Sequence, residues 1–188
     1  MDKKIIIVDM VNGFIKEGAL HDKRIMDIVD NIKRLIENKT DHDIIVLEDA
    51  HDKDCVEFTS FPPHCLNDSD ESKTIDELAY VFNLANFEAC IKKNSTNGFF
   101  ALARANLIDA NEYIIVGCCS DICVAQLALT LKAYGNDINS IKKVIVVKDG
   151  IATYDNAYHI ASEYDDAALK LMSVAGIEIK DLKDIIGE

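Results

Sequence analysis

Apolar residues in this chain alternate between short unbroken runs and stretches where they recur every three or four positions. Ile5-Ile6-Ile7-Val8 is a β-branched run that stops at Asp9. A strand apolar on both faces belongs in a parallel sheet covered by helices on each side. In residues 23–38, Ile25, Ile28, Val29, Ile32, Leu35 and Ile36 keep helical spacing and predict one helix. A second strand spans 43–48 and ends at Asp49. Residues 50–72 hold Pro62 and Pro63 and show little periodicity, which predicts a long loop of the kind that usually carries function. Residues 75–84 read as a short helix or turn. A third strand ends near Lys93 and leads through 94–98 into a helix over 99–105. Tyr113 to Val116 predicts a fourth buried strand, broken by Gly117, and 124–134 predicts the helix after it. A fifth strand over 144–147, a helix over about 158–174 and a short strand over 177–179 complete the pattern.

Strands alternating with helices predict a three-layer α/β/α domain over residues 1–188, with a doubly wound, mainly parallel sheet of about six strands. In such sheets ligands bind outside the carboxyl ends of the strands. Asp9, Asp49, Lys93 and Cys123 all fall at predicted carboxyl ends. Cys123 sits in the first turn of its helix, where unpaired N–H groups and the helix dipole favour a thiolate. Ser120 or Asp121 is positioned to cap that helix. A thiolate attacks carbonyl carbon, a carboxylate such as Asp9 relays its proton, and a nearby cation lowers the thiol pKa. Lys92 and Lys93 are both available for that last role, because a one-residue shift reverses the face of a strand.

The loop after the second strand adds a second chemistry. Asp49 and His51 are two residues apart, with Glu57 and His64 downstream. Carboxylates and imidazoles together suit a borderline divalent ion, and protein ligands on one side leave positions open for water or substrate. The competing reading is a polar loop facing solvent.

Composition narrows the partners. Of 188 residues, 49% are hydrophobic and 28% charged, as in ordinary globular proteins, and the net charge of −13 argues against nucleic acid or an anionic membrane. No apolar run is long enough to span a bilayer, and the first residues (Met1-Asp2-Lys3-Lys4, then four apolar residues) do not read as a signal peptide. The six cysteines show no regular disulfide spacing and are expected as reduced thiols in the cytoplasm.

Over nearly its whole length the chain resembles the isochorismatase-like cysteine hydrolases, and among them the nicotinamidases. The residues that carry the resemblance are Asp9, Asn12 and Phe14 of an Asp-x-x-Asn-x-Phe motif, and Asp49 with His51 of an Asp-x-His motif. With them stand Pro62-Pro63-His64, the set Lys93, Ser95 and Phe99, and Gly117 through Val124 of a Gly-x-x-Thr-Asp-x-Cys-Val motif with Ser120 in place of Thr. The resemblance implies an Asp9–Lys93–Cys123 triad, a cis peptide at Cys118–Cys119, and an oxyanion hole from the N–H groups of Cys119 and Cys123. It implies a metal site of Asp49, His51 and His64 with Glu57 as a further ligand, holding one divalent ion (Zn²⁺, with Fe²⁺ or Mn²⁺ as alternatives). It places Phe14 and Phe99 against the substrate. Two departures bear on substrate choice. Met10, Val11 and Gly13 replace the usual residues of the opening motif, and Ala50 replaces an aromatic. Metal-free relatives act on isochorismate or other small substrates, so the retained ligand set favours conversion of nicotinamide to nicotinate and ammonia. The alternatives are another small-amide or ester hydrolase of the family, a redox protein using Cys118, Cys119 and Cys123, and a metal-binding relative without turnover. A homo-oligomer is expected, acting on a small molecule.

Overall fold

A computed structural model describes residues 2–188; Met1, where the N-terminal segment begins, lies outside the described residues. Six strands form one sheet: β1 (Lys3–Val8), β2 (Asp43–Asp49), β3 (Phe87–Lys93), β4 (Glu112–Cys118), β5 (Lys143–Ala152) and β6 (Glu178–Lys180). Their order is β3-β2-β1-β4-β5-β6, and every neighbouring pair is parallel. The chain winds outward from β1 to β3, then returns to place β4 on the other side of β1. The carboxyl ends of β1 and β4 therefore flank the point where the winding reverses, which opens a crevice there.

The apolar runs behave as two-faced strands should. Ile5 and Ile7 point into one core with Ile44, Val46, Ile114 and Val116, while Ile6 and Val8 point into the other with Ile45, Leu47 and Ile115. Helices α2 (Val29–Asn38) and α6 (Leu182–Ile186) contribute to the first core; α3 (Phe99–Arg104), α4 (Ala125–Asp137) and α5 (Ala161–Val174) contribute to the second. Helix α1 (Asn12–Ile15) is a single turn where the Asn12-Gly13 pair predicts only a turn.

Three elements differ from the sequence expectation. The helix expected over 23–38 is two elements: a 3₁₀ segment, Lys23–Ile28, whose first turn is capped by Asp22, and then α2. Both present the same apolar positions inward, so periodicity alone does not separate them. Gly117 does not end β4. It takes φ +116°, and a Cβ there would stand 2.0 Å from the Val8 carbonyl oxygen. Gly117 is what lets β4 close against the end of β1. Finally, β5 runs on through the polar residues Lys148 and Asp149 to Ala152, with a register irregularity opposite Ile115 and Gly117.

Candidate active site

The three strands at and beside the crevice deliver their terminal residues to one place. Asp9 follows β1 in a left-handed conformation, φ 51°, that turns the chain sharply over the sheet edge. Such a conformation in a non-glycine residue is costly and concentrates at functional sites. Its N–H donates to the Leu47 carbonyl, and its own carbonyl accepts from Val11 N–H and Cys118 Sγ. Asp49 ends β2 and Lys93 ends β3. The Lys93 Nζ lies 2.9 Å from Asp9 Oδ2, 2.7 Å from Asp49 Oδ1 and 3.8 Å from Cys123 Sγ. Asp9, Asp49 and Lys93 are all essentially inaccessible to solvent. Lys92 instead points outward, 51% exposed beside Asp68, so Lys93 is the lysine that lies beside Cys123.

Two carboxylates and one ammonium leave this buried cluster with an excess negative charge. Burial first, then the neighbouring Asp49, push the Asp9 carboxyl up to about 7, while Lys93 draws it down. Asp49 is held well below the usual carboxylate range: burial works against ionisation, but Lys93, His51 and His64 prevail. Burial also works against the Lys93 ammonium, yet Asp49, Asp9 and Cys123 hold it firmly protonated. The Cys123 thiol is pushed up by burial and by both carboxylates, more than Lys93 lowers it. Burial and the two carboxylates thus work against the thiolate that the helix terminus and Lys93 favour.

The turn that carries Cys123 is wider than an ordinary helix start. The Cys118–Cys119 peptide is cis. Ser120–Val124 forms a π-helical turn that runs directly into α4, with Cys119 at its N-cap position. Neither Ser120 nor Asp121 caps it. Ser120 Oγ bonds Asp165 of α5, and Asp121 accepts from Thr153 Oγ1 at 2.5 Å and faces His159 Nε2 at 2.8 Å. The side chains expected to satisfy the helix terminus tie it to neighbouring elements instead.

Beside this cluster, Asp49, His51, Glu57 and His64 bring one potential ligand atom each within 4.8 Å of one another. The Nε2 atoms of His51 and His64 lie 2.9 and 3.0 Å from Asp49 Oδ2, and His51 Nε2 is 3.7 Å from Glu57 Oε1. The outer nitrogens are occupied: His64 Nδ1 faces the Pro62 carbonyl at 2.8 Å and His51 Nδ1 faces Asn94 Oδ1 at 3.1 Å. A carbonyl only accepts, so His64 Nδ1 donates to it, which leaves Nε2 turned toward Asp49. An imidazole nitrogen facing a carboxylate oxygen calls for a cation or a proton between them, and outer-face bonding of this kind is how metal-binding imidazoles are oriented. Glu57 is steadied by the Thr96 N–H, which donates to its Oε2 at 2.8 Å. Burial lowers the His51 imidazole, but Asp49 raises it further, to about 9. The donor set fits a divalent ion. Asp49 belongs to both groups, one oxygen on Lys93 and the other toward the imidazoles.

A cleft of about 400 Å³, measured to its open mouth, runs past Cys119 and Cys123 to Asp49, Glu57 and His64. Phe14, Leu20, Phe61, Ile122 and Tyr154 supply its apolar walls, with Thr96 as a further polar group. Phe14 thus lines this cleft. Phe99 does not: its ring packs on Phe100 and Tyr134 at centroid distances of 6.0 and 5.4 Å, away from the cleft. Phe61 supplies an aromatic wall beside His64, and Phe58 packs behind, its ring 5.3 Å from that of His51. Both lie in the aperiodic loop, where no pattern marks them. Tyr154, beyond the polar end of β5, is equally unmarked. All six cysteines are free thiols, and among the described residues no helix is long and apolar enough to cross a membrane.

A parallel sheet in this order, with two carboxylates, a lysine and a thiol gathered at the carboxyl ends of its strands, makes a three-layer α/β/α domain. The chain belongs to the isochorismatase domain family, whose sequence profile matches residues 3–183. Among solved structures, N-carbamoylsarcosine amidase from Thermoplasma acidophilum is 25% identical, with 97% of each chain covered and a TM-score of 0.73. A nicotinamidase from Bacillus subtilis is 23% identical over 96% of this chain and 100% of that one, TM-score 0.75. A nicotinamidase/pyrazinamidase from Acinetobacter baumanii is 18% identical over 98% of each, TM-score 0.80. These last two show the shared fold. No curated protein matches in sequence.

Proposed function

We propose that this chain is a cysteine amidohydrolase that releases ammonia from a small carboxamide. The observation that carries this is the placement of Cys123 Sγ beside Lys93 and Asp9 on the wall of a cleft. Asp9, with a carboxyl near 7, takes the Cys123 proton as sulfur attacks the carboxamide carbon. The backbone N–H groups of Cys119 and Cys123 receive the developing oxyanion. Asp9 returns the proton to the leaving nitrogen, ammonia departs, and a thioester remains on Cys123. Asp9 then deprotonates a water that cleaves the thioester, giving the carboxylate and restoring the thiol. Lys93 stays protonated and keeps the cluster from holding two uncompensated negative charges. Asp49, His51, Glu57 and His64 would hold a divalent ion, Zn²⁺ on the chemistry of the donors, and that ion supplies a positive point for a substrate nitrogen or a bound water.

Within this class we favour a planar heteroaromatic amide, nicotinamide first. The cleft is narrow, flanked by Phe14, Phe61 and Tyr154, and runs from the thiol to the imidazole–carboxylate cluster. A flat ring with its carboxamide at Cys123 directs a ring nitrogen toward that cluster. A second reading, an acyclic carbamoyl amide, is favoured by the 25% identity to the amidase from Thermoplasma acidophilum. Ammonia release from nicotinamide, pyrazinamide, benzamide and N-carbamoylsarcosine, before and after chelation, separates them. The proposal expects the ring amides bearing a nitrogen to be fastest and chelator-sensitive. Preference for N-carbamoylsarcosine would move the chain to the second reading, and no ammonia from any of them would remove both.

A further inference from the structure

Outside the cluster described above, His159 is a buried polar group, 7% exposed although it lies in a loop. The loop folds back on itself: Asn156 and His159 exchange two backbone hydrogen bonds, which returns the imidazole over the chain that precedes it. There the ring is sandwiched. The Tyr154 ring lies on one side at 4.0 Å and 14°, and the Tyr164 ring on the other at 3.8 Å and 22°. Both nitrogens are engaged, Nδ1 with the Tyr154 carbonyl at 2.9 Å and Nε2 with Asp121 Oδ2 at 2.8 Å. Each nitrogen thus faces an oxygen, one on the segment after β5 and one on the turn that carries Cys123. Asp165, the other acid near this ring, bonds Ser120 Oγ.

Two of the groups His159 touches bear directly on the reaction cleft. Asp121 is two residues before Cys123 in the π-helical turn, and its other oxygen is held by Thr153. Tyr154 is itself a wall of the cleft, facing the space beside Cys119 and Cys123. We propose that His159 is a positioning residue that bolts the nucleophile-bearing turn to the segment after β5 and holds the Tyr154 ring as a fixed wall, so setting the width of the cleft that the substrate enters. This rests on Cys123 being the reactive nucleophile of the proposed function.

The test needs no substrate. Cys123 modification by iodoacetamide and by the bulkier N-phenylmaleimide is followed by peptide mass spectrometry in the wild type, His159→Ala and His159→Gln, with thermal unfolding alongside. Losing the stack frees Tyr154, so His159→Ala should raise the phenylmaleimide-to-iodoacetamide ratio by about threefold or more. Gln keeps a planar group and one donor, and should return the ratio toward the wild-type value. If His159→Ala fails to fold, Tyr164→Ala replaces it: that side chain is 42% exposed, and its loss removes one side of the stack with the same expected direction. An unchanged ratio in the folded variants, even with a lowered melting temperature, would make His159 merely structural and overturn the proposal. No modification of Cys123 in any protein would remove the nucleophile, and the positioning role with it.

Discussion

Replacing Asp9 by Asn is expected to stabilise the protein above neutral pH while removing its activity. Burial, reinforced by Asp49 and opposed by Lys93, raises this carboxyl from 3.8 to about 7. In the unfolded chain it ionises near 4. The folded pKa is the higher one, so the folded state holds the proton longer. As pH rises from about 4 to about 7 the unfolded chain ionises first, and Asp9 withdraws stability across that window; above it the loss is complete. The gap corresponds to about 4 kcal/mol, at ~1.4 kcal/mol for each pH unit. Roughly 2 kcal/mol of it falls between about pH 5.5 and about pH 8.5. Asn cannot ionise, and subtracting the two proteins cancels the titrations they share. Urea denaturation of chelator-treated wild type and Asp9→Asn at those two pH values should show the variant gaining about 2 kcal/mol on the wild type. A difference that stays constant between the two pH values, or moves the other way, would refute the reasoning.

Other substitutions test separate parts of the site. Lys93→Met leaves two buried carboxylates without their cation and should cost about 3–5 kcal/mol in urea denaturation. Iodoacetamide should also modify its Cys123 more slowly near neutral pH, because Lys93 is the group that lowers that thiol. Lys92→Met, at an exposed position beside Asp68, should change neither. Gly117→Ala forces a Cβ against the Val8 carbonyl and should cost about 3 kcal/mol or more in the same denaturation assay.

Most of the fold is legible because its strands are buried on both faces, so runs such as Ile5–Val8 stand out without any partner in view. Asp9 is legible for the same reason, as the first polar position after such a run, and Asp49 and Lys93 each stand one place further on. What hides is whatever depends on a neighbour distant in sequence. Lys92 and Lys93 are equivalent until β3 is set against β2. Gly117 reads as a strand breaker because the carbonyl that requires it belongs to Val8, on another strand. Phe99 matches a motif by spacing, but α3 turns its ring toward Tyr134, while Phe61 and Tyr154 reach the cleft from segments with no periodicity. The thiol's environment is the sharpest case. A helix terminus and a lysine are visible in sequence and both favour thiolate; burial and the second carboxylate, Asp49, are not, and they prevail.

The measurement that bears most directly on the central claim is ammonia release by Cys123→Ala, run beside the wild type on the fastest amide with divalent ion present. Removing one member of a cooperating catalytic set commonly costs a factor on the order of 10⁴ or more. The variant should therefore fall to near the uncatalysed rate while keeping its fold and its bound ion. Substantial ammonia release by Cys123→Ala would contradict the assignment of Cys123 as the nucleophile.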